Sequence, residues 1–254
     1  MNLDIPHIPS RIKKPRESGL TMMMDKGLSV REAEDFVMSS GEFTDFVKFG
    51  FGTALIARDL EAKLQVYREG NIRPYFGGTL FEIFFVRNMF EDFRKFIDRY
   101  DLDLVEVSDG TVTIDHDKKL ECIKILSEDV QVLSEVGSKI SGVIIPVDLW
   151  VSMMRTELDA GAWKVIAEAR ESGTIGIYNP DGSANVELIQ DITGNLDQHD
   201  VIWEAPLKDQ QVYFIKMLGP NVNLGNIAPS EVFAMEALRL GLRGDTLMNF
   251  LPVI

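Results

Sequence analysis

Short apolar runs recur along this chain, and several close in the same way, with a polar or acidic residue and then a glycine or turn-forming stretch. They include Leu20-Thr21-Met22-Met23-Met24-Asp25, Phe46-Val47-Lys48-Phe49-Gly50, Leu104-Val105-Glu106-Val107-Ser108-Asp109, Val132-Leu133-Ser134-Glu135, Lys164-Val165-Ile166-Ala167-Glu168 and Val201-Ile202-Trp203-Glu204. Apolar runs of this length, bounded by turn residues, read as buried strands. The pattern predicts strands over residues 20–25, 46–51, 73–78, 104–108, 131–136, 163–168, 201–205 and 221–225. Helical patterning falls between them, over 30–40, 54–69, 80–100, 116–128, 147–158, 186–192, 210–217 and 230–242. The last of these opens on Pro229, a capping Ser230 and Glu231 in the first turn.

Strands that each lead into a helix close a parallel α/β barrel more naturally than an open sheet, so the expected fold is a single-domain (β/α)8 TIM barrel. A length of 254 residues suits one such barrel. Residues 1–18 carry Pro6, Pro9 and Pro15 with the basic cluster Arg11, Lys13, Lys14 and Arg16. They read as an N-terminal arm, either solvated or laid over one barrel end, with the catalytic barrel spanning 19–254.

Side chains alternate between the faces of a strand, and this period sorts the polar groups. In the second strand Lys48, Gly50 and Gly52 oppose Val47, Phe49 and Phe51; in the fourth, Leu104, Glu106 and Ser108 oppose Val105 and Val107. In the sixth, Lys164, Glu168 and Arg170 oppose Val165, Ala167 and Ala169. The charged sets belong to the lumen. Asp25, Glu106, Glu135, Glu168 and Glu204 are then expected to ring the C-terminal mouth with Lys26, Lys48 and Arg170 among them, the end where barrel enzymes keep their active sites. Ionised groups inside a barrel must be paired or hold a ligand. A supporting salt-bridge network satisfies that condition for any one glutamate, but its recurrence on successive strands points to catalysis or metal binding. Carboxylates suit a hard cation such as Mg2+, able to act as a Lewis acid on an enolate-like charge. Spacing alone does not divide metal ligands from acid–base groups.

Two loops add candidates. Gly77-Gly78-Thr79, between a strand and a helix, brings backbone amides near an anion at a helix N-terminus, or forms a plain tight turn. The stretch 170–182 has the length and glycines of a lid, or of a solvated loop. Lys139, just past Glu135-Val136-Gly137-Ser138, is a candidate proton donor.

Composition narrows the partners. A net charge of -14 argues against general nucleic-acid binding, so an anionic substrate needs a local basic pocket. Cys122, the single cysteine, allows no internal disulfide and reads as a buried structural thiol. His7, His116 and His199 share no metal-ligand spacing, and Trp150, Trp163 and Trp203 read as packing. The chain opens without signal-peptide features, and no apolar run approaches about 18 residues. The expectation is a cytoplasmic protein with no membrane partner. The apolar content of 54–64 and 81–96 further predicts a homo-oligomer.

Longer strings carry a resemblance. They are Gly19-Leu20-Thr21 with Asp25-Lys26-Gly27-Leu28, Asp45-Phe46-Val47-Lys48-Phe49-Gly50-Phe51-Gly52-Thr53, Gly77-Gly78-Thr79-Leu80-Phe81-Glu82, and Val105-Glu106-Val107-Ser108-Asp109-Gly110. Further along come Glu135-Val136-Gly137, Glu168-Ala169-Arg170-Glu171-Ser172-Gly173, Glu204-Ala205-Pro206 with Gln210-Gln211-Val212, Val222-Asn223-Leu224-Gly225-Asn226-Ile227-Ala228 and Gly241-Leu242-Arg243-Gly244-Asp245-Thr246. In these the chain resembles the phosphosulfolactate synthase family, which adds sulfite to phosphoenolpyruvate on the route to coenzyme M. The resemblance implies a (β/α)8 barrel, a Mg2+ requirement and a Michael-type addition giving (2R)-phospho-3-sulfolactate, with the metal steadying an aci-carboxylate. It further implies Lys139 as general acid, with Lys48 and Arg170 as catalytic cations. Asp25, Glu106, Glu135, Glu168 and Glu204 are the implied metal ligands, and Lys26, Gly77, Gly78, Thr79, Ser108, Asn223 and Arg243 the implied substrate contacts. Two other readings stand beside it: a non-catalytic barrel resembling the plant heat-stress-associated proteins, and a related barrel lyase with another nucleophile. The retained strand-end charges favour the synthase.

Overall fold

The computed structural model describes residues 3–138 and 145–252. Eight strands alternate with helices: β1 (Thr21–Asp25), β2 (Phe46–Phe49), β3 (Arg73–Phe76), β4 (Leu104–Val107), β5 (Gln131–Val136), β6 (Lys164–Ala167), β7 (Val201–Glu204) and β8 (Leu224–Ile227). The helices among the described residues are α1 (Val30–Ser40), α2 (Leu60–Glu69), α3 (Gly78–Phe85), α4 (Phe90–Arg99), α5 (His116–Ser127), α6 (Val147–Asp159), α7 (Val186–Asn195), α8 (Lys208–Leu218) and α9 (Val232–Arg239). The ladders are parallel and run in the order β3-β2-β1-β8-β7-β6-β5-β4. This is the expected (β/α)8 barrel. Parallel strands covered on both faces need apolar residues on both, which is why these segments read as continuous hydrophobic runs.

The ladder order begins at β3 and ends at β4, and side chains close the seam between them. At one end Arg73 pairs with Asp103 at 3.0 Å and donates to Gln131 at 2.7 Å. At the other, the Tyr75 hydroxyl donates to Glu106 Oε2 at 3.0 Å.

Alternation divides the core in two. Leu20, Met22, Phe46, Tyr75, Leu104, Leu133, Ile166 and Ile202 fill the lumen. Their neighbours, including Val47, Phe49, Val105, Val107, Val165 and Trp203, pack outward against the helices. The lumen is therefore a solid apolar plug, and polar side chains one step further along β2, β4, β5 and β7 rest on it.

Helix boundaries depart from the sequence pattern in three places. The single helix expected over 80–100 is broken into α3 and α4, with Asn88 in the left-handed region at φ 55°. Phe81 and Phe84 then meet Phe93 at 5.6 and 5.8 Å between ring centroids. In an unbroken helix Phe81 and Phe93 would stand about 18 Å apart, so aromatic stacking favours the fold-back. The stretch expected over 54–69 opens with a 3-10 turn, Thr53–Leu55, and α2 begins only at Leu60. Near the end, Pro229–Glu231 forms a 3-10 turn before α9, and Ser230 caps nothing with its side chain. The last strand also begins later than expected, at Leu224.

Among the described residues of the arm, basic side chains tie it across the N-terminal end of the barrel. Arg11 bonds Glu236 at 2.8 Å and the Pro220 carbonyl at 2.8 Å, and Arg16 pairs with Asp45 at 2.8 Å. Asp45 also accepts the Thr21 amide at 2.8 Å, so the arm is coupled to the start of β1. Among the described residues no helix is long and apolar enough to cross a membrane.

Candidate active site

Lys48 projects inward near the end of β2 and meets three carboxylates from three other strands. Its ammonium lies 2.8 Å from Glu106, 3.2 Å from Glu135 and 3.4 Å from Glu204. Glu168, the residue after β6, joins the same layer, and all five side chains are buried. Burial works against the Lys48 charge, but Glu106, Glu135 and Glu204 outweigh it and hold the ammonium well above its ordinary range. Burial, then Glu106, likewise pushes the Tyr75 phenol well up. Lys48 is therefore a fixed cation at neutral pH.

Around this layer a cavity of about 460 Å3 opens at the C-terminal mouth, with Lys48, Glu168 and Glu204 in its wall. Gly77, Gly78 and Thr79 form part of the same wall. Gly78 begins α3, and its amide donates to Glu106 at 2.6 Å. A Cβ at position 78 would fall 2.3 Å from the Ser108 Cβ and 2.7 Å from Glu106 Oε1, so only glycine allows this approach. Glu204 is fixed by the Ala169 amide at 3.0 Å and by Asn226 at 3.5 Å. Asn226 sits in the left-handed region at φ 57°, a conformation asparagine tolerates better than most residues.

Three of the carboxylates, Glu135, Glu168 and Glu204, each bring an oxygen within 4.8 Å of the others. Clustered buried oxygens of this hardness fit a divalent cation such as those that prefer carboxylate ligands. Beside them the Ser108 hydroxyl stands 2.8 Å from both Glu135 and Glu82. A serine has one hydrogen to give, so it donates to one of the two at a time.

The structure thus brings together Lys48, Glu106, Glu135, Glu168, Glu204, Ser108 and the Gly77–Gly78–Thr79 turn, and puts Arg170 exposed at the rim. Other expected site residues stand elsewhere. Asp25 shares the outward face of β1 with Met23 and is enclosed by the helix layer: Lys63 lies 2.7 Å away, Tyr67 donates at 2.8 Å, and the Gly27 and Leu28 amides cap its other oxygen at 2.8 and 2.9 Å. It therefore stands apart from the lumen carboxylates. Asn223 is at the opposite end of the barrel, accepting from the Leu20 amide at 3.1 Å and donating to the His199 and Val201 carbonyls at 3.0 and 3.1 Å. It closes the barrel floor. Arg243 faces Asp245 at 3.7 Å, outside the cavity lining. Lys26 pairs with Glu171 across the mouth but lines a neighbouring concavity. Lys139 lies outside the described residues.

The stretch 170–182, read as either a lid or a solvated loop, is held by hydrogen bonds. Ala169 and Tyr178 form isolated bridges to Gly176 and Ala184, and Gln210 donates to the Gly173 and Gly182 carbonyls at 2.8 and 3.1 Å. Sequence reading missed Tyr75, Glu82 and Asn226 as parts of the site. Tyr75 follows the inward period of β3 and was legible in principle; Glu82 lies within a helix and carried no such signal.

Fold and site together define a class: a (β/α)8 barrel enzyme whose mouth gathers buried carboxylates around one ammonium. Comparison with known proteins is more specific. The family profile described as (2R)-phospho-3-sulfolactate synthase (ComA) matches residues 9–245. The phosphosulfolactate synthase of Methanothermobacter thermautotrophicus is 42% identical over 245 residues, covering 94% of this chain and 95% of that protein. Those of Bacillus subtilis and Methanocaldococcus jannaschii are 39% and 40% identical, covering 94% and 91% of this chain and 96% and 94% of theirs. The chain belongs to the phosphosulfolactate synthase family. Among solved structures, a 3-hexulose-6-phosphate synthase from Salmonella typhimurium superposes with a TM-score of 0.54 at 13% identity, covering 91% of this chain and 98% of that one. At that identity the likeness concerns the barrel alone.

Proposed function

We propose that this chain is a carbon–sulfur lyase that adds sulfite to phosphoenolpyruvate, with Mg2+, to give (2R)-phospho-3-sulfolactate. The observation that carries the reading is the layer of Lys48 with Glu106, Glu135, Glu168 and Glu204 at the cavity floor, in a member of this family. In the reaction the sulfite sulfur bonds to the methylene carbon, the double-bond electrons move toward the substrate carboxylate, and a proton is delivered to the neighbouring carbon.

Glu135, Glu168 and Glu204 would hold the metal. Once bound, Mg2+ supplies Lewis-acid neutralisation of charge developing on the substrate carboxylate. Lys48 keeps three carboxylates in register and, as a strongly held ammonium, serves as a fixed positive charge rather than the proton source. Glu106, pinned between Lys48, Tyr75 and the Gly78 amide, fixes the first turn of α3 against the cavity. The exposed Arg170 at the rim offers a positive partner for phosphate and sulfite oxygens. Lys139 is the general acid on the strength of the sequence resemblance. The setting is cytoplasmic.

The test follows the ultraviolet absorbance of phosphoenolpyruvate with purified protein. Its loss should require both sulfite and Mg2+, and phosphorus NMR should find a new phosphomonoester. No turnover with both present would overturn the proposal.

A further inference from the structure

Glu82 is buried in α3, one turn past the residues that line the cavity, at 1% exposure. One of its oxygens accepts the Thr111 amide at 3.1 Å and lies 2.8 Å from the Ser108 hydroxyl; the other takes the Thr111 hydroxyl. Ser108 in turn accepts the Gly110 amide at 3.2 Å and stands 2.8 Å from Glu135 Oε1. The second oxygen of Glu135 lies 3.2 Å from Lys48. A continuous line of polar contacts therefore runs from α3, through the turn after β4, to β5.

We propose that Glu82 is a positioning residue for the active site: by accepting the Thr111 amide and hydroxyl it holds the turn after β4, and so places the Ser108 hydroxyl to donate to one oxygen of Glu135 while Lys48 fixes the other and Glu135 is aimed at Glu168 and Glu204. The inference rests on the reading of those three carboxylates as a cation site. A buried carboxylate is costly unless its oxygens are bonded, and Glu82 has donors on both. Its two Thr111 contacts anchor the turn that begins at Ser108, and the Ser108 hydroxyl that this turn presents lies 2.8 Å from Glu135. Groups that orient a metal-binding carboxylate typically change metal affinity about 10–100-fold when removed.

The experiment titrates Mn2+ into the full chain by electron paramagnetic resonance and measures kcat and KM in parallel, for the parent, Glu82→Gln, Glu82→Ala, Ser108→Ala and the double alanine variant. Glu82→Ala and Ser108→Ala should each weaken Mn2+ binding about tenfold or more and lower kcat more than they raise KM. Glu82→Gln, which keeps an acceptor for the Thr111 amide, should recover most of the loss. Because the two residues act in series, the double variant should be no worse than the poorer single one. Folded Glu82→Ala protein with parental Mn2+ affinity and kcat would overturn the proposal, as would single losses that multiply in the double variant. If Glu82→Ala does not fold, Ser108→Ala with parental affinity and kcat overturns it equally. A parent that binds no Mn2+ would sink the cation reading separately, and the series behaviour of kcat would then decide the role of Glu82.

Discussion

The Lys48 ammonium lies 2.8 Å from Glu106, the shortest of its three contacts with carboxylates at the cavity floor. The pair joins β2 to β4 across the lumen, beneath the first turn of α3. Replacing Lys48 with methionine would keep the length of the side chain and remove the charge that balances Glu106, Glu135 and Glu204. Breaking a buried pair from one side costs about 3–5 kcal/mol, because the abandoned charge stays buried. Lys48→Met should therefore lower stability in urea by that order and abolish measurable turnover. A variant that unfolds at the parental midpoint would show that the carboxylates find other compensation.

Gly78 tests how tightly the α3 turn must sit on Glu106. An alanine methyl there would overlap the Ser108 Cβ and Glu106 Oε1, and neither can withdraw without losing buried hydrogen bonds. Overpacking of this kind costs about 1–3 kcal/mol. Gly78→Ala should show a lowered melting temperature and a kcat loss larger than the stability loss explains, since it shifts Glu106 and the cavity wall together. Parental kcat in a folded Gly78→Ala protein would refute the required close approach.

The inward charges were legible because the period of two is strict: Lys48, Glu106, Glu135, Glu168 and Glu204 each fall in step with an apolar lumen residue on their own strand. Asp25 shows where reading strand ends without faces goes astray. It closes an apolar run like the others, yet it is in step with Met23, which packs outward, so its charge went to Lys63 and Tyr67. Asn223 was expected among the substrate contacts from the family string Val222–Ala228, yet it sits before β8 at the barrel floor. Glu82 was hidden for a different reason. Its partner, the turn after β4, is 26 positions away in sequence from Glu82 to Ser108, and nothing in a helical pattern announces such a contact.

A second buried ion cluster supports β5 from outside the lumen. Lys119, on α5, stands 2.9 Å from Glu157 on α6, 2.8 Å from Asp109 and 2.7 Å from the Glu135 carbonyl. Burial raises the Glu157 carboxyl above its ordinary range, with Lys119 pulling it back. Lys119→Met should be strongly destabilising because Glu157 loses its counter-charge. Adding Glu157→Gln removes the stranded charge and keeps the Ser134 hydroxyl partnered, so the double variant should be more stable than Lys119→Met alone. Urea unfolding of the full cycle measures the coupling, expected at about 0.5–3 kcal/mol; additive losses would contradict a direct charge pair.

Cys122 gives the alkaline behaviour of the fold a local reporter. Burial, with a smaller contribution from Glu121, pushes its thiol up from 9.0 to about 11. The folded state therefore keeps the proton that the unfolded chain begins to release near pH 9.0. The sign follows from linkage: this contribution to stability is fully present below the unfolded value and is lost as pH rises through the folded one. Tyr75, raised by burial and Glu106, acts in the same direction from its ordinary value of 10.0, whereas Lys164, lowered by burial, acts in the opposite one. Because these run together, the informative quantity is a difference between proteins. Urea midpoints of the parent and of Cys122→Ala, compared from about pH 8 to pH 10.5, should converge as the parent loses the thiol contribution. A constant gap across that range would mean that Cys122 ionises alike in both states. Thiol labelling gives an independent check: native Cys122 should react far more slowly at pH 8 than the same thiol in urea, because burial both shields it and suppresses the thiolate.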